Sequence, residues 1–414
     1  MINSIKRLYK FRRNISFIGL YNAFRFFVRI KKIPQIDILY ACHDNSRPIL
    51  LNGKYYSPLI DSLINKLSHY KHATLALPFS KYSGNKVAGN TVNLNLYVII
   101  ALIKRFLSSG TIIFKNKKSD PLVEFYYRLY KTLNIKIIIA VQPSVEMCIA
   151  AKKNKIKIID VQHGIIDSEA SESYYSLNKR SLYSNLGWPD YIFCRNKYSY
   201  DKVLALKDFT KPFFVGNLNK SFYQNFYPND EDNHFLEPKH KTILFTFQPH
   251  YPSSFTLKNK LGGIVFPKEL HQLILKSNYN FFIKLHPSQI HKKSFLRLHM
   301  KALEKLFYGY KNVDFRICNK RPLEDSLSKS DLHITFNSAS LFDAYDYGLK
   351  TILLDDNLNR LNQYFGKLMD SNYVIVDPKL EMDLSNHFYE KTEKEQNEVL
   401  NNLTFEEFIK KNIK

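Results

Sequence analysis

Negative charge is what this 414-residue chain has least of: 37 Asp and Glu stand against 61 Lys and Arg, for a formal net charge of +24. The deficit is steepest at the start, where residues 1–110 carry 17 Lys or Arg against Asp37, Asp44 and Asp61 alone. So basic a chain calls for a polyanionic neighbour, and nucleic acid, an anionic membrane leaflet and a phosphorylated substrate are the candidates. A general richness in Lys, Asn, Ile, Tyr and Phe accounts for part of the scattered lysine excess. Cysteine is scarce too. Cys42, Cys148, Cys194 and Cys318 are far apart and in no metal spacing, which leaves reduced, buried thiols of a cytosolic protein.

Long apolar runs are missing from the N-terminus. Its longest uncharged stretch, Asn14 to Phe24, is too short to span a bilayer and lacks a small-residue cleavage site, which argues against a transmembrane helix and a signal peptide. Helix-turn-helix cues, zinc spacing, RNA-binding aromatic motifs and short-period repeats are absent as well, so a nucleic-acid partner is not expected. The reading of another class that stays open is a basic membrane- or nucleic-acid-binding module without catalysis. Asp230-Glu231-Asp232 matches the Asp-X-Asp of metal-dependent transferases, but it lies in a polar stretch between Pro228 and Pro238 rather than at the end of an apolar strand. A solvated turn, not a metal site, is expected there.

What is present is a regular alternation of short apolar strands with helical lengths. Strands are expected at Ile36–Cys42, His72–Leu77, Thr111–Phe114, Lys136–Val141, Lys155–Val161, Tyr191–Cys194 and Phe213–Asn217. The pattern restarts with Thr242–Phe247, Phe281–Leu285, Val313–Ile317, Asp331–Phe336, Thr351–Asp356 and Tyr373–Val376. Helices separate them, such as the one capped by Ser144 and the one opening at Asn337–Ser340 and closing at Gly348. Such alternation predicts βαβ units and a mostly parallel sheet in each half. The expected fold class is α/β, two Rossmann-like domains facing across a cleft, preceded by a basic amphipathic N-terminal helix.

The expected division is 1–34, a membrane-associating segment; 35–219, an N-terminal acceptor domain; 220–241, a linker; 242–380, a nucleotide-donor domain; and 381–414, charged surface helices. The first segment mixes nine Lys and Arg with Phe11, Phe17, Phe24 and Phe27 and contains no acid. It suits a helix lying in the interface of an anionic membrane, or an ordinary amphipathic helix packed on its own domain.

Two strand ends, one per half, terminate in a histidine: His163-Gly164 and His286-Pro287. In an open α/β sheet those ends face the ligand crevice. Either imidazole, taken alone, is more often a satisfied, partly buried side chain than a catalytic one. Small hydroxyl residues Ser338 and Ser340 at a helix start just beyond a strand add free N–H groups and a positive dipole end, an anion socket.

The Gln162-His163-Gly164 turn, the Lys284-Leu285-His286-Pro287 strand end and the Ser338-Ala339-Ser340-Leu341-Phe342-Asp343 helix resemble the GT-B glycosyltransferases of bacterial surface polysaccharides. Nearest in pattern are the groups with cytidine-activated donors: capsule Kdo transferases, bacterial polysialyltransferases and teichoic acid glycerophosphotransferases. The resemblance covers residues 136–356. It implies a metal-independent transferase without a cofactor, moving an acidic sugar from a CMP-activated donor such as CMP-Kdo or CMP-sialic acid. The acceptor would be a capsular, lipopolysaccharide or lipid-linked glycan. A CDP-glycerol or UDP-sugar donor on the same fold is the alternative, and a non-hydrolysing sugar-nucleotide epimerase shares the shape. Location at the cytoplasmic face of the membrane is implied too.

By the same resemblance, His286 with Lys284 and Pro287, and Ser338 with Ser340, would hold the donor phosphate, His286 also polarising the leaving oxygen. Asp343 stands where these families often have Glu. Asn319 belongs to the loop that would seat the base, Gln248 and His250 to the second domain's first loop, and Gly164 to the His163 turn. For the general base that inversion requires, Glu146, in the first turn after the strand ending at Val141, is one candidate. Asp167 and Glu169, just past His163, are the others, and His163 itself would bind acceptor or donor. Deletion of residues 1–30 is expected to move the protein from the membrane to the soluble fraction; unchanged fractionation would refute a membrane role for that segment.

Overall fold

The computed structural model of the protein describes residues 30, 33–43, 47, 49–76, 87–89, 91–92, 94–109, 120–164, 166, 185–206, 208–227, 239–247, 256–258, 265–290, 293–388 and 403–413. Apart from Ile30, Ile33 and Pro34, the expected amphipathic segment lies outside them, as do the Thr111–Phe114 strand and the Asp230–Asp232 turn. The chain forms two compact units, one of residues 1–222 with 398–414, the other of residues 223–397.

The first unit is built on seven strands: β1 (Ile38–Cys42), β4 (His72–Ala76), β5 (Thr91–Val92), β6 (Ile137–Ala140), β7 (Lys157–Val161), β8 (Tyr191–Cys194) and β9 (Lys211–Phe214). A small antiparallel hairpin, β2 (Ile49–Leu51) with β3 (Lys54–Tyr56), stands apart from that sheet. Their order is β5-β4-β1-β6-β7-β8-β9, and every pairing is parallel. Alternate residues feed opposite faces, as a pleated strand requires. Ile38, Tyr40 and Cys42 meet Ile60 and Leu63 of the helix Pro58–Lys66. Leu39 and Ala41 face the helices Asn95–Ser109, Pro121–Thr132 and Val145–Lys153. A parallel sheet covered on both faces is apolar throughout its strands, which is why Ile137–Ala140 reads as an unbroken buried run.

The second unit repeats the plan with β10 (Thr242–Thr246), β13 (Asn280–Lys284), β14 (Val313–Asp314), β15 (Leu332–Thr335), β16 (Thr351–Leu353) and β17 (Val374–Val376). A second hairpin, β11 (Thr256–Lys258) with β12 (Val265–Pro267), precedes the helix Lys268–Lys276. The order β14-β13-β10-β15-β16-β17 is all parallel. In each unit the first strand lies inside the sheet and the winding reverses beside it, at β1/β6 and at β10/β15. This is the doubly wound, Rossmann-like order, with its ligand crevice outside the carboxyl ends at the reversal.

Several elements differ from the sequence expectations. The linker does not begin at Lys220, because Leu218–Phe226 is a helix that buries Leu218 and Phe222 one turn apart. The segment 381–414 is not only charged surface: the helix Phe405–Ile413 buries Phe408 and Ile409 on the first sheet, with the Phe408 ring 4.1 Å from that of Phe213 and 5.8 Å from that of Phe193. The Val313–Ile317 strand ends at Asp314, whose carboxylate accepts from the N–H groups of Arg316, Ile317 and Cys318 and turns the chain. The helix Leu358–Phe365 was not foreseen.

Core packing in the second unit centres on Phe245, whose ring stands 5.0 Å from Phe247 and 5.6 Å from Phe266. Phe245→Ala is expected to destabilise the unit by about 3–5 kcal/mol, through lost burial plus a residual cavity. Urea unfolding measures it; a loss below about 1 kcal/mol would show that the site collapses to fill the void.

Candidate functional site

The second unit gathers the expected donor residues at one edge. β13 and β15 both pair with β10, so their carboxyl ends flank its own. His286 comes just after β13, beyond Leu285, and is half-buried. Its N–H donates to the Gln289 side chain at 2.8 Å, and its C=O accepts from the Gln289 N–H. That exchange turns the chain at once into the short helix Pro287–Ile290. Ser338 and Ser340 follow β15, on the other side of β10, and Ser340 opens the helix Ser340–Asp346. The Ser340 N–H donates to Ser338 Oγ at 3.2 Å. Asp343 is buried within the same helix.

Two expected donor ligands have other duties. The Lys284 ammonium donates to the carbonyls of Cys318 at 2.6 Å and Arg321 at 2.7 Å. Burial lowers its pKa, so it is a clamp on the loop that follows β14 rather than an exposed cation. Asn319 accepts from the Leu285 N–H at 2.7 Å and donates to the carbonyls of Ile283 and Phe315. Its side chain therefore fixes the loop and is not offered to a base. Gln248 and His250 lie outside the described residues, as do Asp167 and Glu169.

Behind the serines lies a polar chain. His333 and Thr335 on β15, Thr246 at the end of β10 and Thr351 at the start of β16 are all buried. His333 Nε2 is 2.9 Å from Thr246 Oγ1, and Thr246 Oγ1 is 2.8 Å from Ser340 Oγ. The other ring nitrogen is 3.0 Å from Thr351 Oγ1. Burial pushes the His333 pKa down to about 3, so the ring is neutral at physiological pH. Fully buried Asp355, just past β16, accepts from Asn337 at 3.0 Å and from two nitrogens of Arg360, fixing the loop between β15 and the serine helix.

In the first unit, Gln162 and His163 follow β7. The Gln162 side chain donates to Ser199 Oγ at 2.7 Å and to the Gly164 carbonyl at 2.8 Å, and accepts from the Arg195 N–H at 3.0 Å. It ties the ends of β7 and β8 together and holds the His163-Gly164 turn. His163, with Arg195, Asn217 and Asn219, lines a cavity of about 30 Å³ at the carboxyl ends of β7, β8 and β9. The residue is exposed, yet the surrounding protein desolvates the ring enough to lower its pKa. Gly164 has no atom near the position of an added Cβ, so its turn imposes no steric need for glycine.

Glu146 does not face the rim. Its carboxylate accepts from Arg105 Nη2 at 2.9 Å, and the same nitrogen reaches Asp120, the cap of the helix Pro121–Thr132. The carboxylate expected to act as a base is thus occupied in a buried pairing between helices. Among the described residues, no group of three or more His, Cys, Asp or Glu could hold a metal ion, and no helix is long and apolar enough to cross a membrane.

No protein-family model matches this chain. A curated protein of Buchnera aphidicola subsp. Schizaphis graminum, named as an N-acetylmuramoyl-L-alanine amidase, is 22% identical over 193 residues, 47% of this chain and 77% of its own length. Among solved structures, the UDP-GlcNAc 2-epimerase of Neisseria meningitidis bound to UDP-GlcNAc aligns with a TM-score of 0.48 at 14% identity, covering 82% of this chain and 86% of its own. The wall teichoic acid polymerase TagF, as its H548A variant, aligns with a TM-score of 0.48 at 13% identity over 92% of this chain and 86% of its own. The assignment of two Rossmann-like units rests on the strand order itself.

His333 and Thr246 were not singled out from the sequence, although polar residues inside buried strands, such as Thr246, His333, Thr335 and Thr351, were a visible signal. His333 also ties stability to pH. Its folded pKa of about 3 lies below the ordinary 6.5, so its neutral burial leaves stability intact above pH 6.5. As pH falls from there towards 3, only the unfolded chain takes up the proton, and stability drops by up to about 1.4 kcal/mol per pH unit. His333→Gln is expected to flatten this slope, read as urea midpoints at about pH 7.5 and about pH 5; an unaltered slope would assign the acid sensitivity to other groups.

Proposed function

We propose that this chain is a GT-B glycosyltransferase that moves an acidic sugar from a CMP-activated donor onto a surface polysaccharide or lipid-linked acceptor, without a metal ion. The observation that carries the reading is the convergence of His286, Ser338 and Ser340 on one carboxyl edge of the second sheet, at the point where its winding reverses. A nucleotide phosphate needs hydrogen-bond donors at such a crevice.

In this reading the serine hydroxyls and the N–H groups of their loop hold the donor phosphate, while His286 donates to the oxygen that leaves with CMP. An acceptor hydroxyl attacks the anomeric carbon, the bond from that carbon to the phosphate oxygen breaks, and the acceptor's proton passes to a base. Glu146, occupied by Arg105, is not that base. The basic first 110 residues suit an anionic acceptor or the inner leaflet of the cytoplasmic membrane.

Two measurements test this. In a thermal-shift panel of CMP, CDP and UDP, CMP is expected to give the largest rise in melting temperature; a larger rise with CDP or UDP would move the donor class. His286→Ala is expected to lower transfer by about 100-fold or more with an unchanged melting temperature; wild-type turnover in that variant would overturn the assignment.

A further inference from the structure

The Ser340 hydroxyl, at the carboxyl edge of the second sheet, is wired into the core, and the wiring has a direction. Thr351 Oγ1 meets His333 Nδ1 at 3.0 Å, His333 Nε2 meets Thr246 Oγ1 at 2.9 Å, and Thr246 Oγ1 meets Ser340 Oγ at 2.8 Å. A neutral imidazole carries one N–H, and each hydroxyl carries one O–H. Ser340 Oγ also lies 3.4 Å from His333 Nε2, so four hydrogens serve four contacts, and the direction is set by which hydroxyl would otherwise be left a buried donor without an acceptor.

The two ends are not equivalent. At the inner end, Thr351 is 1% exposed and, among the described residues, its hydroxyl contacts His333 alone. A hydrogen leaving there would be a buried donor without an acceptor, which folded proteins avoid. At the outer end, Ser340 is 6% exposed and opens the helix at the sheet's carboxyl edge, beside Ser338. The economical arrangement runs outward. Thr351 donates to Nδ1, the Nε2–H donates to Thr246, Thr246 donates to Ser340, and the Ser340 hydrogen is left for whatever occupies the crevice.

We propose that Thr351, His333 and Thr246 form a one-way hydrogen-bond chain that fixes Ser340 as a proton donor to an anion at the carboxyl edge of the second sheet. His333 and Thr246 are positioning residues that act through Ser340. The opposite tautomer would reverse every link and leave Ser340 offering only lone pairs, a partner for a hydroxyl and not for a phosphate. Full burial suits the role, because it holds the imidazole neutral and so keeps a single tautomer in charge of the direction. This inference rests on the reading of that edge as the site of the donor phosphate.

The test uses the full chain with ¹⁵N-labelled histidine. Long-range ¹H–¹⁵N spectra, with the His333 signal assigned by its loss in His333→Gln, are expected to show the proton on Nε2. CMP binding by calorimetry is expected to weaken about tenfold in Ser340→Ala and in Thr246→Val, and to return to within about twofold of wild type in Thr246→Ser. A proton on Nδ1, or a Thr246→Val variant that binds CMP like wild type while Ser340→Ala does not, overturns the directed chain and leaves the donor-site reading standing. Wild-type CMP affinity in both Ser340→Ala and His286→Ala overturns the donor-site reading, and Ser340's duty falls with it. Should Thr246→Val fail to fold, the wild-type tautomer and Ser340→Ala decide the matter.

Discussion

The parallel pairing of β10 with β13 on one side and β15 on the other is the constraint from which the second unit's chemistry follows. Backbone hydrogen bonds set the register, Thr246 beside Lys284 and Thr335, and so fix where each following loop departs. A slip of one residue would turn every side chain to the opposite face, moving Phe245 out of the core and Thr246 out of reach of His333. The unbroken apolar faces around Phe245, Ile283 and Ile334 make such a slip costly. Hydrophobic packing thereby protects a polar arrangement to which it contributes no polar atom.

Around that frame, fixed groups hold loops that would otherwise be free to move. Lys284 and Asn319 anchor the turn after β14, Asp355 anchors the loop after β15 through Asn337 and Arg360, and Gln162 does the same for the His163 turn in the first unit. Each is a buried or half-buried polar side chain whose hydrogen bonds are met by backbone or by a neighbouring side chain, the condition under which burial of polar groups is tolerated. Residues that look like ligands in a linear reading turn out to be the supports of the loops that present ligands.

Much of the architecture was legible because a parallel sheet covered on both faces writes itself as short apolar runs. Ile137–Ala140, Tyr191–Cys194 and Thr242–Thr246 could hardly be read otherwise. The helix Leu218–Phe226 was obscured because only Leu218 and Phe222 mark its buried face among Asn, Lys, Ser and Gln. The edge carrying His286, Ser338 and Ser340 followed from strand ends alone. The pairing of Glu146 with Arg105 joins residues 41 positions apart, and local spacing holds no trace of it. Lys284 misled for a related reason: a lysine ending a buried strand reads as a cation offered to ligand, whereas its acceptors are carbonyls supplied from more than 30 residues downstream.

The placement of the helix Phe405–Ile413 against Phe193 and Phe213 bears on how the protein is made. The first unit's aromatic core is closed by a segment that the ribosome delivers only after the whole second unit has been synthesised. At about 5–20 residues per second that interval is roughly 10 to 40 s. During it, the emerging polypeptide would expose the flank of its first sheet that Phe408 later covers. Biogenesis of the first unit is thus tied to completion of the second, although their hydrophobic interiors are built separately.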